Sequence, residues 1–307
     1  MRNAFIKTLS SLAKKDNRVT LITGDLGFGV LTDFAKQFPK QFFNAGVAEQ
    51  NMTGLATGLA LEGKIVFTYS IANFSTLRCL EQIRNDAAYH HCNVNVVAVG
   101  GGFSYGQLGF SHHATEDLSI LRVLPEVSVY SPCDAWEVEQ SVKHMVQKSG
   151  TGYLRLDRSG PANLKAHEPF IVGKPRVVRE GKDLTIVATG GIIEVALSVA
   201  DNFAKKGVDA RVLSVHTLRP FDPTPIVQAA RETKGIITLE EQTVHGGLGG
   251  LVAENLLELG TIPKKFYRIG LRAGFTTIVG DQNYLREYYN VGHKALTDKV
   301  SEMLQSP

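Results

Sequence analysis

A glutamate stands among unusually small residues, at a point where a short apolar strand is expected to meet a helix. Glu49 follows the apolar pair Phe42 and Phe43, and apolar residues recur at helical spacing between 50 and 61. Acids are common in the first turn of a helix, because the helix dipole and the free N–H groups favour them. Because little side-chain bulk surrounds Glu49, a flat ligand can also approach it closely. Its carboxyl group is therefore expected either to cap the helix or to bond a heterocyclic nitrogen.

Four further candidates for binding or catalysis follow other predicted strands. They are Asp25 after 19–23, Phe74 after 64–69, His112 after 93–99 and Arg158 after 153–156. The carboxyl ends of parallel strands lie at one edge of a sheet, and ligands bind beyond that edge. We therefore expect these side chains to lie close to Glu49.

Each of these candidates also has an ordinary structural interpretation. Phe74 either belongs to the core or stacks on a flat ring. Asp25 either forms a turn after its strand or lies beside a ligand. Arg158 either makes an ion pair at the surface or binds an anion through bidentate hydrogen bonds. The adjacent pair His112 and His113 lacks a third donor at metal-ligand spacing, so no metal site is predicted in this chain.

Glycine is concentrated between 100 and 109, after the strand predicted at 93–99. The segment has no G-x-G-x-x-G between a strand and a helix, so it does not predict a dinucleotide site. A loop over an active site is the better interpretation, because such loops commonly carry functional residues.

Strands and helices alternate along the chain, and most predicted strands are apolar on both faces. This pattern is typical of parallel sheets that helices cover on both sides. Three prolines and several charges interrupt the pattern between 161 and 182, as expected of a linker. We predict an α/β protein of two doubly wound domains with mainly parallel sheets, with a first domain at 1–160, a linker at 161–182 and a second domain at 183–307.

The composition argues against several classes of protein. The net charge is only +3 and the basic residues are scattered, which argues against binding to nucleic acid. The three cysteines have no metal-ligand spacing and are too few for a disulfide framework. The amino terminus does not resemble a signal peptide, and no apolar run approaches the roughly 20 residues that span a bilayer. These features predict a cytoplasmic protein with no membrane segment.

The stretch 46–52, GVAEQNM, resembles the glutamate motif of the pyrimidine-binding domain in thiamine-diphosphate enzymes of the transketolase type. The resemblance implies that Glu49 bonds the aminopyrimidine ring of thiamine diphosphate. It also implies that Phe74 stacks on this ring and that Asp25 lies beside the cofactor. Ile71 occupies the position of a second family aromatic, so the cofactor pocket is expected to be more aliphatic.

A second match concerns the substrate. The stretch 109–112, Gly-Phe-Ser-His, resembles the G-x-[TS]-H segment whose histidine lies near the ketose in transketolases. The resemblance implies that His112 polarises a substrate oxygen or moves its proton. Arg158 resembles the arginine with which the family binds a sugar phosphate, whereas His113 and His245 receive no role. The stretch 239–250 resembles the signature of the family's C-terminal domain and is interpreted as structural.

The resemblance covers the later part of a full transketolase, without the domain that binds the diphosphate and its metal. The chain contains no Gly-Asp-Gly, which is the motif of that domain. The chain is therefore identified as the C-terminal subunit of a split transketolase that acts on sugar phosphates. The expected partner is an N-terminal subunit that carries the diphosphate-binding domain and holds Mg2+ or a similar ion. The resemblance implies a heterotetramer with two copies of each chain.

Two departures from the family pattern concern the substrate channel. The family's upstream histidine falls on Gly100, and an acid that contacts a substrate hydroxyl falls near Leu108. These differences favour an unusual ketose phosphate over the common pentose phosphates.

Two alternative functions of the chain remain open. One is a β subunit of a 2-oxo-acid dehydrogenase or an enzyme like deoxyxylulose-phosphate synthase, and the other is a non-catalytic regulatory subunit.

Overall fold

The computed structural model describes residues 1–158, 160, 161, 164, 169–272 and 274–305. In this part of the chain, twelve strands form two sheets and eleven α-helices accompany them. The strands are β1 (Val19–Thr23), β2 (Phe42–Asn44), β3 (Ile65–Ile71), β4 (Val94–Val99), β5 (Val127–Tyr130), β6 (Thr151–Leu156), β7 (Arg176–Arg179), β8 (Leu184–Ala188), β9 (Ala210–Ser214), β10 (Thr217–Arg219), β11 (Ile236–Thr243) and β12 (Phe266–Leu271). The helices are α1 (Arg2–Ala13), α2 (Thr32–Gln37), α3 (Glu49–Leu61), α4 (Ala72–Thr76), α5 (Asp117–Val123), α6 (Ala135–Gln147), α7 (Ile193–Ala204), α8 (Thr224–Glu232), α9 (Leu248–Glu258), α10 (Gln282–Tyr288) and α11 (His293–Gln305).

Seven strands form the first sheet, in the spatial order β10-β5-β6-β4-β3-β1-β2. Neighbouring strands pair in parallel except β10, which pairs antiparallel with β5. Strand β4 lies between β3 and β6, and all of its residues are buried. Burial on both faces explains why these strands have nearly continuous apolar sequences.

Separate apolar cores lie on the two faces of the first sheet. Phe5 and Leu9 of α1 belong to one core together with residues of α6. Met52 and Ala56 of α3 belong to the other core. Helices therefore cover both faces, as the doubly wound arrangement requires.

Five strands form the second sheet, in the order β12-β11-β8-β9-β7. All of its pairs are parallel except that of the edge strand β7 with β9. Two α/β units with mainly parallel sheets confirm the predicted fold class. Among the described residues, no helix has both the length and the apolar character needed to cross a membrane.

Three features of the chain differ from the sequence pattern. The apolar spacing between 75 and 89 predicts one helix, but α4 ends at Thr76 and a π-helix spans Gln82–Ala88. The predicted linker 161–182 contains β7, while 162–163 and 165–168 lie outside the described residues. Strand β10 comes from the second half of the chain yet joins the first sheet. The two halves are therefore interleaved, and the domain boundaries stay a prediction.

A buried charged cluster joins β7 to the start of α6. The carboxylate of Asp134 accepts a hydrogen bond from the backbone N–H of Glu137 at 2.8 Å and so caps the helix. Arg176 lies 3.0 Å from the Asp134 carboxylate and 2.9 Å from that of Glu137. Cys133, Asp134 and Glu137 together could offer three ligand atoms to a metal. Because Arg176 already pairs with both carboxylates, we interpret the cluster as structural.

Candidate functional site

The carboxyl ends of five parallel strands meet at one edge of the first sheet. Strand β1 is followed by Asp25, β2 by the turn to Glu49, and β3 ends at Ile71. Strand β4 leads into the loop 100–113, and β6 is followed by Arg158. The structure therefore places the candidates from the sequence along a single edge, where ligands of such sheets bind.

Glu49 is the first residue of α3 and is only 4% exposed. Its side chain does not cap the helix, and Oε2 instead accepts a hydrogen bond from Nη1 of Arg78 at 3.2 Å. Within the described residues, Oε1 accepts no hydrogen bond. Gly24 lies against the same side chain, since a Cβ added there would be 3.5 Å from Cγ of Glu49. The carboxyl group is thus buried in a narrow space and keeps one oxygen available.

Flat groups follow Glu49 along the edge. The guanidinium of Arg78 lies over the ring of Phe74, with Cζ 4.0 Å from the ring centroid. The ring of His112 meets Phe74 edge-on, at a centroid distance of 5.1 Å. Phe74 is half-buried and carries a cation on its ring face, which favours a stacking role over a core role.

The row of contacts continues from His112 to Arg158. Nδ1 of His112 lies 3.0 Å from Oγ of Ser111, and the ring of Tyr105 lies 6.5 Å from the imidazole. Cζ of Arg158 lies 5.7 Å from the centroid of Tyr105. A continuous series of neighbouring side chains, which we call the site row, therefore joins Glu49 to Arg158.

Arg158 lines an open cleft of about 600 Å³ at the end of the site row. Tyr105, Leu108 and the turn 280–282 also line this cleft. The Arg158 side chain is exposed, and among the described residues it forms no ion pair. A guanidinium in this position suits an anion such as a phosphate group, which it can bind through two hydrogen bonds.

Asp25 stabilises the turn that leads to Glu49 through hydrogen bonds to Asn44. Its carboxylate accepts a hydrogen bond from Nδ2 of Asn44 at 2.9 Å, and its N–H donates to Oδ1 of Asn44 at 3.0 Å. The same Oδ1 accepts a hydrogen bond from the N–H of Gly46 at 3.0 Å. Asp25 and Gly46 both have positive φ, 56° and 72°, which these bonds help to hold. This geometry supports the turn interpretation of Asp25.

Residues that the sequence did not suggest hold the loop 100–113 in place. Nδ2 of Asn73 donates to the carbonyl oxygen of His113 at 2.8 Å. The backbone N–H of Phe103 donates to the carboxylate of Glu241 at 2.5 Å. The loop that carries His112 is therefore fixed both by α4, through Asn73, and by the end of β11.

The two histidines without an assigned role have different surroundings. His113 is fully buried, with Nδ1 2.9 Å from Oγ1 of Thr276 and Nε2 3.1 Å from the carbonyl oxygen of Gly106. His245 is exposed, with Nε2 3.1 Å from the carbonyl oxygen of Arg272. His113 thus ties the loop to the segment after β12, and neither ring contacts the site row.

Arg78 and Tyr105 are members of the site row that the sequence patterns did not predict. An exposed arginine in a predicted helix carries no signal, because such residues are usually solvated. Tyr105 had a usable signal, since it is an aromatic residue within a glycine-rich loop at the end of a strand.

Two family models match the chain in succession. Residues 1–161 match the model described as "Transketolase, pyrimidine binding domain", which alone covers more than half of the chain. The chain belongs to the transketolase family. Residues 173–288 match "Transketolase, C-terminal domain" of the same family. The site row lies within the part that matches the pyrimidine-binding domain.

Relatives of this transketolase-family chain have similar lengths. A "Putative transketolase C-terminal section" from Methanocaldococcus jannaschii is 35% identical over 99% of this chain and 96% of its own length. An apulose-4-phosphate transketolase subunit from Phocaeicola vulgatus is 39% identical over 84% of this chain and 83% of that protein. A solved structure described as "Split gene transketolase, inactive beta4 tetramer" has a TM-score of 0.87 and 37% identity, and covers 99% of this chain and 97% of that chain. These relatives confirm the family identification made from the sequence.

Proposed function

We propose that this chain is the pyrimidine-binding subunit of a two-chain transketolase that transfers a two-carbon ketol unit between sugar phosphates. The observation that carries the proposal is the buried carboxyl of Glu49 at the strand edge, joined by the site row to Arg158. Family membership indicates the type of reaction, and the row provides an acid, an aromatic ring, a histidine and an arginine for it.

The residues near Glu49 fit the pyrimidine end of thiamine diphosphate. Oε1 of Glu49 is available to a ring nitrogen, and the face of Phe74 already accepts a flat guanidinium. Ile71, half-buried at the end of β3, would border the ring, and Asp25 keeps the turn before Glu49 in place. When bound, the cofactor supplies the nucleophilic carbon that ketol transfer needs. In this proposal, Glu49 holds a proton between its carboxyl group and the ring.

The substrate is assigned to the other end of the site row. His112 would exchange a proton with a substrate oxygen, and Arg158 would bind the substrate phosphate through its exposed guanidinium. Gly100 and Leu108 replace the histidine and the acid that the family pattern expects there, so fewer polar groups can contact substrate hydroxyls. We therefore expect a ketose phosphate whose hydroxyl pattern differs from that of the common pentose phosphates.

A separate N-terminal transketolase subunit is proposed to hold the diphosphate and Mg2+ or a similar ion. This chain contains no Gly-Asp-Gly, and its relatives include a protein named as a transketolase subunit and a split-gene transketolase. We propose a heterotetramer with two copies of each chain, in which this chain also contacts its own copy. We further infer a cytoplasmic location, since three buried cysteines are free of disulfides in the described part of the chain.

The protonation of His112 gives a testable pH dependence. Burial lowers the pKa of His112, and the nearby charges of His113 and Arg78 lower it further. Its imidazole is therefore neutral at pH 7, and the acidic limb of kcat/KM for the assembled enzyme should lie below the ordinary histidine pKa of 6.5. His112→Asn should remove this limb, whereas His90→Asn at an exposed position should not. A limb at or above pH 6.5 in the unmodified enzyme would contradict the assignment.

Reconstitution tests the proposed function. The chain is mixed with an N-terminal transketolase subunit that carries Gly-Asp-Gly, together with thiamine diphosphate and Mg2+. We expect ketol transfer only when every component is present, and a phosphorylated ketose should be a better donor than its dephosphorylated form. Transfer catalysed by this chain without the second subunit would contradict the two-chain assignment.

Two other results would replace the proposal by one of its alternatives. Decarboxylation of pyruvate by the assembled pair, without ketol transfer, would favour a 2-oxo-acid dehydrogenase subunit or an enzyme like deoxyxylulose-phosphate synthase. Failure of the assembled pair to bind thiamine diphosphate in a direct titration would favour a regulatory subunit.

A further inference from the structure

Arg78 holds the two groups that the proposed function assigns to the pyrimidine ring. Its Nη1 lies 3.2 Å from Oε2 of Glu49, and its Cζ lies 4.0 Å from the ring centroid of Phe74. The side chain of Arg78 is 51% exposed, whereas that of Glu49 is 5% exposed. Arg78 therefore stands at the mouth of the site, and its charged end contacts both the buried Glu49 and the half-buried Phe74.

A pyrimidine ring and the Arg78 guanidinium compete for the face of Phe74 and, although they use different oxygens, make opposite demands on the carboxyl group of Glu49. A guanidinium has only hydrogen-bond donors, so it keeps the Glu49 carboxylate in the role of acceptor. An unprotonated ring nitrogen requires the opposite, a carboxyl group that donates a proton. A ring that stacks on the covered face of Phe74 must also displace the guanidinium from it.

The position of Arg78 makes such an exchange easy. Its ion pair with Glu49 is half-exposed on the arginine side, so water can solvate the guanidinium as soon as it leaves the buried carboxylate. Arg78 also lies between the end of α4 at Thr76 and the start of the π-helix at Gln82. A long arginine side chain in this place can turn into solvent while its backbone stays fixed.

We propose that Arg78 is a latch on the cofactor site, whose guanidinium leaves Glu49 and Phe74 when the aminopyrimidine ring binds. The inference rests on the proposed function and identifies a residue that opposes cofactor binding instead of assisting it. Removal of the competing ion pair and cation–π contact should tighten the binding of thiamine diphosphate by roughly five- to thirty-fold.

The test compares Arg78→Met with the unmodified chain in the assembled pair, because methionine keeps an apolar stem and lacks the charge. The dissociation constant of thiamine diphosphate is measured by direct titration at saturating Mg2+. Arg84→Met, at an exposed position in the neighbouring π-helix, is the matched control and should leave this constant unchanged. Inorganic diphosphate is a second probe. Its contacts are proposed to lie on the partner subunit, so it should bind both forms equally.

Tighter binding of thiamine diphosphate at an unchanged melting temperature supports the latch. Unchanged binding by a folded Arg78→Met variant overturns it, and weaker binding overturns it by making Arg78 a ligand of the cofactor. Arg78→Lys keeps the charge but loses the planar fork, so its affinity should lie between those of the other two forms. If the unmodified pair binds no thiamine diphosphate, the proposed function fails and the latch fails with it. If the unmodified pair binds thiamine diphosphate but the Arg78 variants do not change its affinity, only the latch is overturned and the proposed function is unaffected.

Discussion

Glu49→Gln should lower kcat of the assembled transketolase by about 10²- to 10⁴-fold, the range that a positioned proton-transfer group contributes. Glutamine keeps the size of the side chain, and its amide oxygen can still accept a hydrogen bond from Arg78. The amide cannot exchange a proton with a ring nitrogen, so the proposed role is lost while the packing is kept. Initial rates of ketol transfer at saturating donor and cofactor measure this effect.

Glu62→Gln is the matched control for this experiment. Glu62 stands at the other end of α3 and is exposed, so its variant should keep full activity. A thermal melt of each assembled pair separates a loss of chemistry from a loss of folding. A Glu49→Gln enzyme with the kcat of the unmodified form would reduce Glu49 to a structural partner of Arg78.

The edge that carries the site could be predicted because it depends on local patterns and one topological rule. The apolar residues before Glu49 form β2, and the periodic segment after it forms α3, as expected. Once the strands are parallel, their carboxyl ends must share an edge. This rule therefore places Phe74 and Arg158 near Glu49 from the strand order alone.

Contacts between distant parts of the chain could not be predicted in this way. Phe103 and Glu241 are 138 residues apart, and their hydrogen bond depends on how the second sheet packs beside the first. Strand β10 joins the first sheet for the same kind of reason, since its three residues carry no local signal of their partner. No pattern within a single segment encodes such pairings.

Arg78 was missed because a helical pattern does not reveal where a helix is interrupted. A regular helix over 75–89 places this residue on an ordinary exposed face. The structure instead ends α4 at Thr76 and resumes with the π-helix Gln82–Ala88. π-helical turns often accompany functional sites, but the sequence pattern does not show where one occurs.

A buried charged network around Arg155 links the two sheets. The side chain of Arg155 is only 3% exposed and lies 3.2 Å from the carboxylate of Asp117 and 3.1 Å from that of Asp157. Its Nη2 donates to the carbonyl oxygen of Glu241 in β11 at 3.2 Å. The Asp157 carboxylate also accepts a hydrogen bond from the N–H of Gly191 at 2.7 Å. One arginine therefore compensates two buried acids that connect β6 to the second half of the chain.

Arg155→Met should lower the free energy of unfolding by about 3–5 kcal/mol, because it leaves buried carboxylates without their cation. Urea denaturation of the chain, followed by circular dichroism, measures the loss. Arg18→Met is the control, since Arg18 is largely exposed and solvent screens its pair with Asp16, which should contribute little to stability. A loss no larger than that of the control would mean that the buried network contributes no more to stability than an exposed ion pair does.

The pH dependence of that loss distinguishes an uncompensated charge from a simple packing defect. Burial raises the pKa of Asp117, while Arg155 opposes the rise. Without Arg155 the pKa of Asp117 should rise further. A carboxyl whose pKa is raised in the folded state destabilises that state as the pH increases above its unfolded pKa of 3.8. The effect of Arg155→Met should therefore be larger at about pH 7.5 than at about pH 5, whereas a packing defect would cost the same at both.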